Sequence, residues 1–336
     1  MERRRRKKHF GSWGVVLLLL LLPSLGWGAE YGKYFEPLPE VAENPENPLN
    51  AAKVELGKFL FFEPRLSKSG FISCNSCHNI ATGGVDNLPT SIGHKWQLGP
   101  RNAPTVLNAA LHTTQFWDGR AKDVEEQAKG PILNPKEMAA TEELVLSRIN
   151  SIPQYVEMFK KAFPDETDPV TYDNVAKAIA AFERTLITPS RFDAYLQGDK
   201  KSLTRRERKG LKLFVKKGCV GCHNGVGVGG GSFQRFDYGT DMGRFEVTGK
   251  ESDKKVFRVP TLRNIALTYP YFHDGSVWTL EEAVRIMGEK QLGVKLKDKE
   301  IGYIVAFLNS LTGELPEIVL PLLPPSTKDT PLPDVD

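Results

Sequence analysis

Every cysteine in the chain belongs to one of two CxxCH pentapeptides, Cys74-Asn75-Ser76-Cys77-His78 and Cys219-Val220-Gly221-Cys222-His223. That spacing is the pattern of c-type haem attachment: two thiols bond to the haem vinyl groups, and the adjacent histidine becomes the proximal iron ligand. Zinc knuckles, CxxC dithiol chemistry and disulfides also use paired cysteines. A histidine directly after both pairs, with no cysteine left over, favours haem. The chain is therefore read as a redox protein that carries two covalently held irons.

The N-terminus reads as an export signal over residues 1–28. Arg3 to Lys8 form a basic run and Val15 to Leu22 an apolar core. Gly26 and Gly28 are the small residues before a cut at Ala29. The apolar stretch is short for a membrane span, with an uncleaved anchor as the alternative. Export to the periplasm leads to an oxidising compartment, where haem attachment removes the liability of free thiols. Six of the 45 Lys/Arg and one of the 41 Asp/Glu lie in the signal, so the remainder carries 39 bases against 40 acids. A near-neutral mature chain gives no support for nucleic-acid binding. Its length suits two domains of about 150 residues each.

An internal repeat supports that division. Pro104-Thr105-Val106-Leu107-Asn108 resembles Pro260-Thr261-Leu262-Arg263-Asn264, and Phe116-Trp117-Asp118-Gly119-Arg120 resembles Phe272-His273-Asp274-Gly275-Ser276. Asp123-Val124-Glu125-Glu126 and Thr279-Leu280-Glu281-Glu282 share a helix-starting shape. All three pairs have the same offset of 156 residues. The boundaries expected are 29–187, 188–314 and a tail over 315–336, with the junction in the polar stretch Thr188 to Ser202.

Apolar periodicity is mostly helical: Ala52, Leu56, Phe59 and Leu60 precede the first motif, and Val175, Ile179, Phe182 and Leu186 close the first domain. Thr204 and Glu207 form a capping box before the second motif. Ile301, Ile304, Val305 and Leu308 form a last helix stopped by Gly313. The Pro-rich tail is expected to be extended. Gly225 to Gly231 lacks the Lys-Ser/Thr of a phosphate loop and reads as a mobile surface loop.

Function turns on the sixth ligand of each iron. A thioether raises the potential and closes the site for electron transfer, whereas an open or displaceable position permits chemistry. Met287 follows the capped helix Leu280 to Gly288 on the same face as Ala283 and Val284. Its repeat-equivalent in the first domain is Pro131, so the first haem lacks that thioether. Met242, in a Gly-flanked loop, is the rival ligand. His94 follows the first motif by sixteen residues, in a loop with Gly93 and Gly99 that can reach and release the vacant face.

These residues resemble the bacterial di-haem cytochrome c peroxidases over nearly the whole mature chain. Besides both haem motifs, the similarity includes Phe116 to Arg120, Asn134-Pro135-Lys136-Glu137-Met138 and Tyr271-Phe272-His273-Asp274-Gly275. The resemblance implies a mainly α fold of two tandem cytochrome c-like haem domains with calcium between them. It implies reduction of hydrogen peroxide with electrons from a small cytochrome c or a cupredoxin, and commonly a homodimer. Position by position, it makes the Cys74/Cys77 haem on His78 the peroxidatic centre and His94 its displaceable ligand. Gln127 and Glu137 become the polar pair above that iron, and Trp117 the bridge between haems. The Cys219/Cys222 haem, with His223 and Met287, becomes the high-potential relay. Asn102, Thr268 and Pro270 become the calcium site. Two other readings are a non-catalytic di-haem electron carrier and an enzyme that oxidises tryptophans of a partner protein. The related enzymes of the latter kind have tyrosine where this chain has Met287.

Overall fold

The computed structural model describes residues 30–336, so the export signal expected over 1–28 lies outside the described residues. Among the described residues no helix is long and apolar enough to cross a membrane. The fold is mainly helical, and its one two-stranded sheet pairs Phe233–Arg235 antiparallel with Val256–Arg258, Gln234 opposite Phe257. Two separate apolar cores form. The first draws on residues from Leu56 to Leu186; the second runs from Phe192 to Leu311 and also takes Tyr31 and Phe35.

Each core is organised by a helix crossing at a glycine. Helix Ala51–Phe61 packs on Tyr172–Glu183, and helix Arg205–Lys217 packs on Asp298–Asn309. A Cβ on Gly57 would lie 1.8 Å from the Ala178 carbonyl oxygen, and one on Gly210 would lie 1.9 Å from that of Tyr303. Neither obstacle is a side chain that can swing away. Gly57→Ala or Gly210→Ala is expected to cost about 3 kcal/mol through forced separation of the helices. Urea unfolding followed by circular dichroism measures it, and unchanged midpoints would show that the crossings tolerate a methyl group.

The 156-residue repeat is written into the backbone. Asn108 and Asn264 both have φ of 60°, Phe116 and Phe272 are both left-handed, and so are Gly119 and Gly275. The isolated bridges Gln115–Ala121 and Tyr271–Val277 are the same turn in each copy. The two asparagines converge at the junction, where both donate to Thr188 Oγ1, at 2.7 and 2.8 Å.

The Thr188–Ser202 stretch, where the junction is expected, holds helix Arg191–Leu196, and its Asp193 forms a buried 3.0 Å ion pair with Arg263. Three sequence expectations need correction. The loop over 225–231 is largely buried. Val228 is fully covered, and Gly230 accepts from Thr113 and donates to Val259, so backbone pairing rather than solvent holds it. The last helix ends at Asn309, before Gly313, which instead bridges to Ser190. The helix expected over 280–288 ends at Ile286, and Met287 opens a π-helical turn, Met287–Gln291. The tail beyond Glu314 has no regular secondary structure, as its prolines require. It is strapped to the first domain by Arg148, which donates to the carbonyls of Pro331 and Leu332.

Candidate functional site

Each CxxCH motif opens into its own cavity. The first, about 1360 Å³ counted to its open mouth, is lined by Cys74, Cys77 and His78. The second, about 1550 Å³, is lined by Cys219, Cys222 and His223. None of the four sulfurs is in a disulfide. Burial pushes Cys77 and Cys219 up to about 11 and raises Cys74 and Cys222 as well. Reactive CxxC dithiols need the opposite shift. Among the described residues no three His, Cys, Asp or Glu gather as metal ligands, so the zinc alternative lacks a ligand set.

The residues fit haem c instead. His78 Nδ1 lies 3.0 Å from the Pro104 carbonyl, which leaves Nε2 for an iron. His223 Nδ1 is buried without a hydrogen-bond partner, and Pro260, the repeat of Pro104, lines the same cavity. Burial holds both imidazoles below their ordinary pKa, in the neutral form a ligand needs.

The two cavities differ in what faces the histidine. Met287 lines the second, with Leu280, Ala283 and Val284 of the preceding helix. Met242 lines neither cavity; its carbonyl accepts from the Lys255 backbone. Pro131, at the repeat position of Met287, lines the first cavity and offers no ligand atom. Beside it stand Gln127, on helix Val124–Leu133, and Glu137, in the loop that follows. Gln127 shares a helix face with Val124 and Ala128, and its side-chain amide makes no hydrogen bond with a described residue. Glu137 Oε1 accepts from Asn134 Nδ2 at 2.7 Å. Burial raises the Glu137 carboxyl above its usual range, against the smaller opposing effects of Arg120 and Asn134.

His94 is not brought into the first cavity. Its side chain is buried, its Nδ1 has no partner among the described residues, and it does not line the cavity wall. Its loop nevertheless touches the Glu137 loop: His94 N–H donates to the Glu137 carbonyl at 2.7 Å. A Cβ on Gly93 would lie 2.0 Å from the Lys136 carbonyl. Any movement of His94 is thus mechanically tied to the segment carrying Glu137.

The cavities share a wall. Asn102, Pro104, His112, Trp117 and Arg258 line both. Trp117 Nε1 donates to the Asn102 carbonyl at 2.9 Å, and Asn102 N–H donates to the His273 carbonyl at 2.8 Å. The Trp117 ring stands edge-on to His273, its repeat counterpart, at 6.2 Å. Asn102, Thr268 and Pro270 all line the second cavity. The Asn102 side chain donates through Nδ2 to Leu88, which leaves Oδ1 free. The Thr268 and Pro270 carbonyls accept no hydrogen bond from described residues.

Two groups on these walls escaped sequence reasoning. Arg258 is 3% exposed, reaches His112 Nδ1 at 3.1 Å and is pushed down to about 10 by burial. A desolvated guanidinium facing both cavities suits haem carboxylates. Glu183, at the end of helix Tyr172–Glu183, lines the first cavity. Neither lies in a motif; a lone charge in a strand or helix gives no sequence signal of burial.

Residues 51–201 match the family model described as di-haem cytochrome c peroxidase, and residues 207–312 match that of cytochrome c. The chain is 56% identical over 326 residues to a cytochrome c551 peroxidase of Nitrosomonas europaea, covering 94% of this chain and 96% of that protein. It is 53% identical over 313 residues to a cytochrome c551 peroxidase of Pseudomonas aeruginosa, covering 89% and 90%. A solved MauG-like protein associated with microbial copper homeostasis superposes with a TM-score of 0.75 at 32% identity, covering 82% of this chain and 94% of that one.

Proposed function

Because the chain belongs to the di-haem cytochrome c peroxidase family, we propose that it is a periplasmic enzyme that reduces hydrogen peroxide to water. Electrons come from a small cytochrome c or a cupredoxin, enter at the Met287 side and pass to the first cavity. The observation that carries this reading is the asymmetry at one repeat position: Met287 faces one motif, whereas Pro131, flanked by Gln127 and Glu137, faces the other.

Haem c, held through Cys74, Cys77 and His78 at one site and Cys219, Cys222 and His223 at the other, would supply a redox-active iron at each, with Met287 as a further ligand at the second only. The protein's own groups then manage protons and position. One peroxide oxygen must lose a proton and the other gain one as the O–O bond breaks. Glu137 takes and returns that proton, while the free Gln127 amide orients the oxygens and stabilises developing charge. Trp117, on the shared wall, bridges the two sites. His94 is the displaceable cap, coupled to Glu137 through its loop. Asn102 Oδ1 and the Thr268 and Pro270 carbonyls suit a hard cation such as calcium, held where Asn102 also grips Trp117 and His273. The active form is a homodimer.

Steady-state peroxide consumption with a reduced cytochrome c as donor tests the reading. Glu137 must be ionised to accept a proton, and its pKa is raised, so activity is lost as pH falls through that raised value. The acid limb of kcat/KM is expected above the ordinary glutamate range near about 4.3. Full haem loading with no peroxide turnover at any pH would instead support the non-catalytic electron carrier.

A further inference from the structure

Converting one H2O2 to two H2O consumes two electrons and two protons. Glu137 can pass on only a proton that peroxide already carries, so the two that complete the waters come from solvent. The first cavity has a second carboxylic acid on its wall, Glu183, one turn after Ile179, which lines the same cavity. Glu183 is 5% exposed, and its side chain forms no hydrogen bond with a described residue. An unpartnered carboxylate in such a place is strongly disfavoured, and the acid stays neutral instead. Burial first, and the Glu125 charge second, push it up to about 8.

Glu125 sits on helix Val124–Leu133, which packs along Tyr172–Glu183. Its Oε1 accepts from Asn47 Nδ2 at 3.0 Å and lies 3.7 Å from Nε of Arg184, the residue after Glu183. Its Oε2 is buried with no partner. The Glu125 side chain keeps 12% exposure, so the two acids step from the solvent edge to the cavity. The charge of Glu183 acts on the Cys74 thiol, whereas Lys53, from helix Ala51–Phe61, and Arg184 are neighbours of Glu125. Lys53 is taken by Asn47 Oδ1 and the Pro48 carbonyl, and Arg184 by the Asn47 carbonyl. Neither cation neutralises Glu183.

We infer that Glu183 and Glu125 form the proton-delivery path of the first cavity, with Glu183 releasing protons inward and being recharged from solvent past Glu125. Two passes deliver two protons, which join the two donor electrons and the two peroxide oxygens as water. The inference rests on the peroxidase reading, and its test separates the two. In the enzyme loaded with both haems, proton uptake on reduction is followed with a pH-indicator dye at pH values around 8. Turnover is followed in H2O and D2O, and haem content is measured in parallel. Glu183→Gln should abolish most of the uptake, lower kcat about tenfold, enlarge the solvent isotope effect and leave haem content unchanged. Glu183→Asp should recover part of the loss, and Glu125→Gln should act in the same direction more weakly. Wild-type uptake, kcat and isotope effect in fully loaded Glu183→Gln overturn the inference. So does a loss of activity that only tracks lost haem, since Glu183 would then be structural. Glu183-dependent uptake in a protein that turns over no peroxide would leave the path standing and remove the peroxidase reading.

Discussion

Glu137→Gln is expected to lower peroxide turnover by about 10²- to 10⁴-fold, the range that a positioned acid–base group contributes. Glutamine keeps the size and the contact with Asn134 but cannot carry a proton between oxygens. Haem content and reduction by the donor should stay as in the parent, because Glu137 forms no hydrogen bond with either CxxCH motif or with Met287 among the described residues. The acid limb of the pH profile should disappear with the carboxyl that causes it. If the variant turns over peroxide at the parental rate, the proton is moved by another group and Glu137 has no part in the chemistry. The backbone link from His94 N–H to the Glu137 carbonyl is preserved in this variant, so the test isolates the side chain.

Met287→His should have an effect of similar size on a different observable. A thioether favours the reduced iron, and an imidazole in its place favours the oxidised one. The potential of the second haem is expected to fall by hundreds of millivolts, within the ~0.8 V span that axial ligation covers. Electrons from a cytochrome donor would then stall, and donor-dependent turnover would collapse. A strong small-molecule reductant should restore peroxide consumption, since the first cavity is untouched. Redox titration of the two haems decides the matter. An unchanged upper potential would remove Met287 as a ligand, and Met242→Ala serves as the control, because Met242 lines neither cavity.

Much of this was legible in one dimension because haem attachment is local. Two cysteines and a histidine within five residues define each site without reference to the rest of the chain. The repeat was equally readable, since Phe116 and Phe272 must both adopt left-handed backbone in the same turn. The caps on helices Val124–Leu133, Arg205–Lys217 and Leu280–Ile286 were visible for the same reason, each being a contact across three residues. Composition misled where burial was the question. Seven residues rich in glycine suggested a mobile loop, yet that loop carries the fully covered Val228 and packs under His112. Nor does the polar stretch after Thr188 reveal that Asp193 is neutralised by Arg263, seventy residues away.

By itself, the sequence determined the number of haem sites, the histidine offered beside each and the inequality between Met287 and Pro131, because these depend on covalent spacing and on a repeat offset. Only the tertiary structure decided that the two cavities share a wall at Trp117 and Arg258, that His94 does not line the first, and that Glu183 is buried there without a hydrogen bond to a described residue. Those facts arise from packing between segments far apart in the chain. Burial sets whether a charge is solvated, paired or held neutral, and no local pattern of residues encodes it.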